Sequence, residues 1–150
     1  MRAGHAPNAL YAASTAAKNS MKVKEIMTRN PAVCTPETSL QEVARTMVGR
    51  DCGATPVVRN EGGSLTGIIT DRDMVVRAVA EGKNPLTLTA ASCMTSPAIS
   101  ISEDASVEDC TDLMEAKQIR RVPVLDASGA LVGIVAQADI ARHGLSLIHI

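Results

Sequence analysis

The chain has no tryptophan, no phenylalanine and a single tyrosine, Tyr11, so aromatic residues make up 1% of it. Stacking platforms for single-stranded nucleic acid and aromatic cages for methylated ammonium groups each need several such rings, and the composition argues against both. It also lacks an excess of either charge. Fifteen basic and 16 acidic residues leave a net charge of −1, which argues against a polyphosphate backbone as partner. No apolar run approaches the roughly 18 to 20 residues of a membrane span, so a soluble protein without a membrane partner is expected. Cys34, Cys52, Cys93 and Cys110 form no C-x-x-C pair and no zinc-spaced cluster with histidine. Free thiols in a reducing cytoplasm are the expectation. What is abundant is aliphatic: 45% of the 150 residues are hydrophobic, and a chain of this length removes roughly 70% of its unfolded surface from water on folding. The core must be built from Val, Ile, Leu, Met and Ala.

The two ends read differently from the middle. Residues 1–20 are rich in Ala and Asn, carry no acidic residue, and offer no apolar stretch long enough for a secretory signal. They are expected to be a disordered tail or an over-called start, with Met21 a sensible beginning. Leu145 to Ile150 fits the codons of a transposon end used as a sequencing adapter, and read-through past Gly144 is expected there.

Between the ends lies a repeat. Met27-Thr28 recurs as Met94-Thr95, Met47 as Met114 and Pro56-Val57 as Pro123-Val124, each 67 residues on; Gly67-Ile68-Ile69 then recurs as Gly133-Ile134-Val135 and Asp73 as Asp139, 66 residues on. The one-residue slip places a shorter hairpin in the second copy. Two copies of a supersecondary unit, neither large enough to close a core alone, are expected to pack on one another. Repeat 1 is placed at 21–88 and repeat 2 at 89–144.

In the first copy Ala32-Val33-Cys34 reads as a short strand. Pro36 opens a helix with apolar residues at Leu40, Val43, Ala44, Met47 and Val48, and Ser39 with Glu42 has capping-box spacing. Thr55 to Val58 and Leu65 to Ile69 read as strands around the turn Asn60-Glu61-Gly62-Gly63, and a helix runs from Asp71 to Ala80. The second copy repeats this with Ala98 to Ile101, Val107 to Ala116, Arg121 to Leu125, a turn at Ala127-Ser128-Gly129, Leu131 to Val135 and Gln137 to Arg142. The fold class is α/β in content (α+β), with the order β-α-β-β-α twice.

That order, with Met-Thr ahead of the first strand, Pro-Val in the middle strand and Gly67-Ile-Ile-Thr-Asp-Arg-Asp73 at the last strand-to-helix joint, resembles the tandem cystathionine-β-synthase (CBS) domain pair, or Bateman module. Ile119-Arg120-Arg121-Val122-Pro123-Val124 strengthens the match, which covers about residues 22–143. The resemblance implies two repeats packed face to face with pseudo-two-fold symmetry, clefts between them that bind adenosine derivatives, a regulatory role without catalysis, and a homodimer formed through helices.

Residue chemistry bears on where a ligand would sit. Thr70 and Asp73 have the spacing of a capping box, which is useful at any helix start; the same carboxylate can also accept both hydroxyl hydrogens of a ribose, and a helix N-terminus offers N–H groups to phosphate. In the second copy Ala136 replaces the threonine while Asp139 remains, where helix-dipole stabilisation and ribose binding both account for it. Arg120 and Arg121 are read as adjacent strand residues leaving opposite faces. The resemblance assigns Arg121, two before the proline, to phosphate, with Arg120 a second contact, and a guanidinium suits that role. It also places Ile68, Ala98 and Ile99 around the adenine. The matching position in the first copy is Ala54. One cleft is therefore expected to be competent, with Thr70, Asp73 and Arg121, and the other degenerate, with Asp139, Ala54 and Val33.

No Ser-His-Asp order, metal cluster or paired carboxylates support catalysis. The expected function is a sensor of AMP, ADP, ATP or a related adenosyl compound, with that nucleotide as regulatory ligand and no obligatory cofactor or metal. The competing class is a structural dimerisation module, or a regulatory fragment of a larger enzyme or transporter, with vestigial clefts.

Overall fold

The computed structural model describes residues 21–60 and 62–143. The expected tail at 1–20 and adapter segment at 145–150 lie outside them. The fold is mixed α+β, and the chain divides into two compact units whose described parts are 31–98 and 21–30 with 99–143.

In the 31–98 unit, α1 spans Leu40–Arg50, β2 Ala54–Val58 and β3 Leu65–Thr70, and α2 begins at Asp71–Met74 and continues as a π-helical turn, Val75–Val79. α1 starts four residues later than Pro36 suggests. Thr35 and Thr38 close a local turn first, the Thr35 N–H donating to Thr38 Oγ1 at 3.0 Å, and Ser39 then caps α1 by accepting from the Glu42 N–H at 3.1 Å. Leu40, Val43 and Met47 are buried, whereas Val48 is 83% exposed. At about 100° per residue, Val48 has rotated roughly a quarter turn off the buried stripe. Of the expected strand 32–34 only Cys34 pairs, its N–H donating to Pro56 and its carbonyl accepting from Val58.

β2 and β3 pair antiparallel, with Ala54 opposite Thr70, Thr55 opposite Ile69 and Pro56 opposite Ile68. Side chains alternate across this ribbon. Val57 and Ile69 enter the helix-facing core with Cys34, Leu40, Val43, Met47, Ala78, Ala90 and Cys93, leaving Ala54, Pro56, Ile68 and Thr70 on the other face. Thr95 extends the ribbon by bonding Ile68 in both directions, at 2.8 and 3.0 Å. This approach accounts for the glycine of the Gly-Ile-Ile motif. A Cβ on Gly67 would stand 2.6 Å from the Thr95 carbonyl oxygen.

The second unit repeats the plan. Its sheet has the order β1-β6-β5-β4, with β1 at Thr28–Arg29, β4 at Ile101–Ser102, β5 at Arg121–Leu125 and β6 at Leu131–Ala136, and its helices are α3, Val107–Lys117, and α4, Gln137–Arg142. β4 begins three residues after Ala98, the expected start. Ser106 caps α3 through the Asp109 N–H at 2.9 Å. Ile101, Cys110, Met114, Val122, Val124, Val135 and Ile140 form the core together with Val23, Ile26 and Met27 from the N-terminal segment. A Cβ on Gly133 would stand 2.9 Å from the Thr28 carbonyl oxygen, the counterpart of Gly67 and Thr95.

The compact units are cut differently from the sequence repeats. Segment 21–30 lies on repeat 2, and the corresponding segment, 88–97, lies on repeat 1.

Candidate ligand site

The residues expected to bind a ligand divide between the units. Ile68, Thr70, Asp73 and Ala98 belong to 31–98, and Ile99, Arg120 and Arg121 to the other.

Thr70 ends β3 and caps α2. Its hydroxyl accepts from the Asp73 N–H at 3.1 Å while its own N–H donates to Asp73 Oδ2 at 2.9 Å, so both arms of the capping box are present. Asp73 Oδ1 has no hydrogen bond among the described residues. The carboxylate is half-buried and keeps acceptor capacity beside a hydroxyl. Ala54, directly across from Thr70, contributes no polar side chain.

In the other unit Ala136 occupies the threonine position and offers no hydroxyl. Asp139 is buried and both its oxygens are engaged: Oδ2 accepts from the Ala136 N–H at 2.8 Å and Oδ1 pairs with Arg142 at 2.6 Å. Helix capping and an ion pair three residues on thus account for this aspartate. The i,i+3 spacing of Asp139 and Arg142 is visible in the sequence, but spacing alone does not show that the two pair.

Arg121 begins β5 opposite Ala136 and is half-buried on the sheet face away from the core, because its neighbour Val122 points into it. Arg120 is exposed and precedes the strand instead of lying in it. Its carbonyl accepts from the Gln137 N–H at 2.8 Å, which ties the approach to β5 to the start of α4. Among the expected adenine neighbours, Ile68 is half-buried on the face opposite the core, Ala98 is buried, and Ile99 packs against the core of its own unit. Val33 is 46% exposed.

The cysteines are free thiols, with Cys34, Cys93 and Cys110 buried and Cys52 exposed. Burial raises the Cys110 thiol to about 12 and Cys34 to about 11. Cys93 is also raised, chiefly by burial, with the negative charge of Asp73 adding to it. Among the described residues no group of His, Cys, Asp or Glu is placed to hold a metal ion, and no helix is long and apolar enough to cross a membrane.

Two CBS domains account for this arrangement: the family model matches residues 23–79 and 90–146, and the chain belongs to the CBS domain family. It is 40% identical over 124 residues to the CBS domain-containing protein YhcV of Bacillus subtilis, covering 83% of this chain and 86% of that protein. It is 38% identical over 123 residues to an uncharacterised protein of Methanopyrus kandleri, covering 82% of this chain but only 62% of that relative's length. Among solved structures it is similar to a CBS domain pair in complex with 5′-methylthioadenosine and S-adenosyl-L-methionine, with a TM-score of 0.74 and 31% identity over 83% of this chain and 96% of that one. It is likewise similar to CBSX2 of Arabidopsis thaliana in complex with AMP, with a TM-score of 0.70 and 25% identity over 83% and 96%. CBS pairs of this kind are regulatory modules.

Proposed function

We propose that this CBS pair senses an adenosine compound through a single competent site, in which Asp73 and Thr70 hold the ribose, Arg121 with Arg120 meets phosphate, and Ile68, Ala98 and Ile99 border the adenine. The observation that carries the reading is the contrast between two aspartates. Asp73 caps its helix with one oxygen and keeps the other for a diol, beside a hydroxyl; Asp139 commits both oxygens to its own unit and has an alanine beside it. The second site, with Asp139, Ala54 and Val33, is degenerate. The adenosyl ligands bound by two similar solved structures support the ligand class.

The module acts without catalysis and without an obligatory cofactor, in the cytoplasm. Ligand favours one relative arrangement of the repeats, and a partner reads the difference. It works as a homodimer through its helices, a reading supported by exposed Val75, Val76 and Val79 on the helix that begins at Asp71.

Calorimetric titration with AMP, ADP, ATP, S-adenosylmethionine and NAD tests the site. One ligand per chain is expected, lost in Asp73→Ala, retained in Asp139→Ala, and weakened in Arg121→Ala for phosphorylated ligands more than for adenosine. Two equal sites, or binding indifferent to Asp73, overturn the single-site reading. A flat response to every compound favours a structural dimerisation module instead, and sedimentation of Val75→Glu against the unmodified chain tests the dimer.

A further inference from the structure

One side chain joins the helix that carries Asp73 to the segment by which the chain leaves its unit. Arg77 is the middle residue of the π-helical turn Val75–Val79, and its Nη1 donates to the carbonyls of Cys93 and Met94, each at 2.9 Å. These carbonyls follow the 3₁₀ turn Ala90–Ser92, and among the described residues no backbone N–H donates to either. Beyond them Thr95 pairs with Ile68, the Ser96 hydroxyl donates to the Thr66 carbonyl at 2.7 Å, and the chain passes into the other unit after Ala98. A continuous helix thus presents Thr70 and Asp73 at its start and grips two consecutive carbonyls of the exit segment from its middle.

The local geometry is specific to this copy. A π turn departs from the 3.6-residue spacing of its helix and is often found at functional positions. In the second copy the position matching Arg77 is His143, the matching carbonyls are those of Ile26 and Met27, and no hydrogen bond joins them among the described residues. The copy with the threonine and the open carboxylate oxygen is therefore also the copy with the clasp. A planar, permanently charged guanidinium holding two carbonyls is a stiff connection, so a shift of the helix is passed to residues 93–98.

We infer that Arg77, standing outside the ligand site, couples that site to the chain leaving its unit, passing the placement of α2 to the 93–98 segment. The inference rests on the Thr70–Asp73 site proposed above. It is tested by hydrogen exchange on the full chain with and without AMP, with calorimetry on the same samples. In the unmodified protein AMP is expected to slow exchange across 93–98 by about ten-fold. Arg77→Gln is expected to bind AMP within about three-fold of the unmodified chain and to keep AMP protection at 70–74, while slowing across 93–98 falls below about two-fold. Arg77→Lys, read in its place if the glutamine variant does not fold, is expected to cut the slowing by at least about three-fold. Undiminished slowing in either folded variant, or AMP binding that leaves 93–98 unchanged in the unmodified protein, overturns the inference and leaves the site standing. If AMP does not bind, the compound that titrates in the calorimetry above takes its place in the same exchange experiment; binding of none of them overturns the site and the inference with it.

Discussion

Thr55 carries a hydroxyl into an aliphatic core. It is 1% exposed, stands opposite Ile69 on the helix-facing side of β2, and its Oγ1 has no hydrogen-bond partner among the described residues. The second copy has Val122 at this position, fully buried. A buried, unsatisfied hydroxyl costs roughly 1–3 kcal/mol, and valine has nearly the same shape. Thr55→Val is therefore expected to stabilise the protein by about 1 kcal/mol, read as a higher urea midpoint at unchanged slope; a lower midpoint contradicts it. The thiols supply a second prediction at this scale. Native protein is expected to react with iodoacetamide at Cys52 and to protect Cys34, Cys93 and Cys110 until it unfolds, because the thiolate is the nucleophile and burial disfavours it. The same raised values fix a pH dependence. Folding holds the Cys34 and Cys110 protons more tightly than the unfolded chain does, so their contribution is complete below the ordinary value of 9.0 and is lost as pH rises from there toward about 11 and about 12. Urea midpoints measured at pH 8 and pH 10.5 are expected to fall, and to fall less in Cys110→Ala.

At the scale of elements, what was legible depended on whether neighbours in sequence decide the structure. Gln137 to Arg142 matches α4 residue for residue, and Arg121 to Leu125 matches β5, because a capping aspartate and a Pro-Val core strand are local signals. The expected strand at 32–34 contracted to Cys34 because its remaining partners would have to come from elsewhere in the fold. The π turn in α2 left no mark either. Its valines fit an ordinary helix, and the bonds from Arg77 reach carbonyls 16 and 17 residues away. The site was legible in part: the Thr70–Asp73 pair is local, whereas the commitment of Asp139 to Arg142 needed coordinates to separate it from a ligand group. The motif glycine shows the same division. Its recurrence is visible in the sequence, but its cause, the Thr95 carbonyl 2.6 Å from where a Cβ would be, is tertiary. That oxygen accepts from the Ile68 N–H, so neither strand can withdraw without breaking the pair. Gly67→Ala is expected to cost about 2–3 kcal/mol and to speed exchange of the Ile68 and Thr95 amides, whereas Gly49→Ala, with nothing within 4 Å of its Cβ position, is expected to leave both unchanged.

At the scale of the molecule, the difference between repeats and compact units has a direct consequence for stability. Residues 31–98 form one unit from continuous chain; the other needs both 21–30 and 99–143. The N-terminal segment is integral to that second unit. Val23 is fully buried, Ile26 and Met27 join it in the core, β1 pairs with β6, and the Val23 and Lys24 N–H groups donate to the carbonyls of Ala105 and Glu103. Burying three such side chains is worth roughly 5–9 kcal/mol at 1.5–3 kcal/mol each, comparable with the roughly 5–15 kcal/mol of an entire domain. Removing the segment is thus expected to unfold the unit built from the distant 99–143 residues and to spare the adjacent 31–98. A chain beginning at residue 31 should lose amide protection across 101–142 while Val57 and Ile69 stay protected, and Val23→Asp should do the same by placing a charge in that core. Had each sequence repeat folded as its own unit, the damage would fall on residues 40–79 instead, and exchange measured peptide by peptide distinguishes the two.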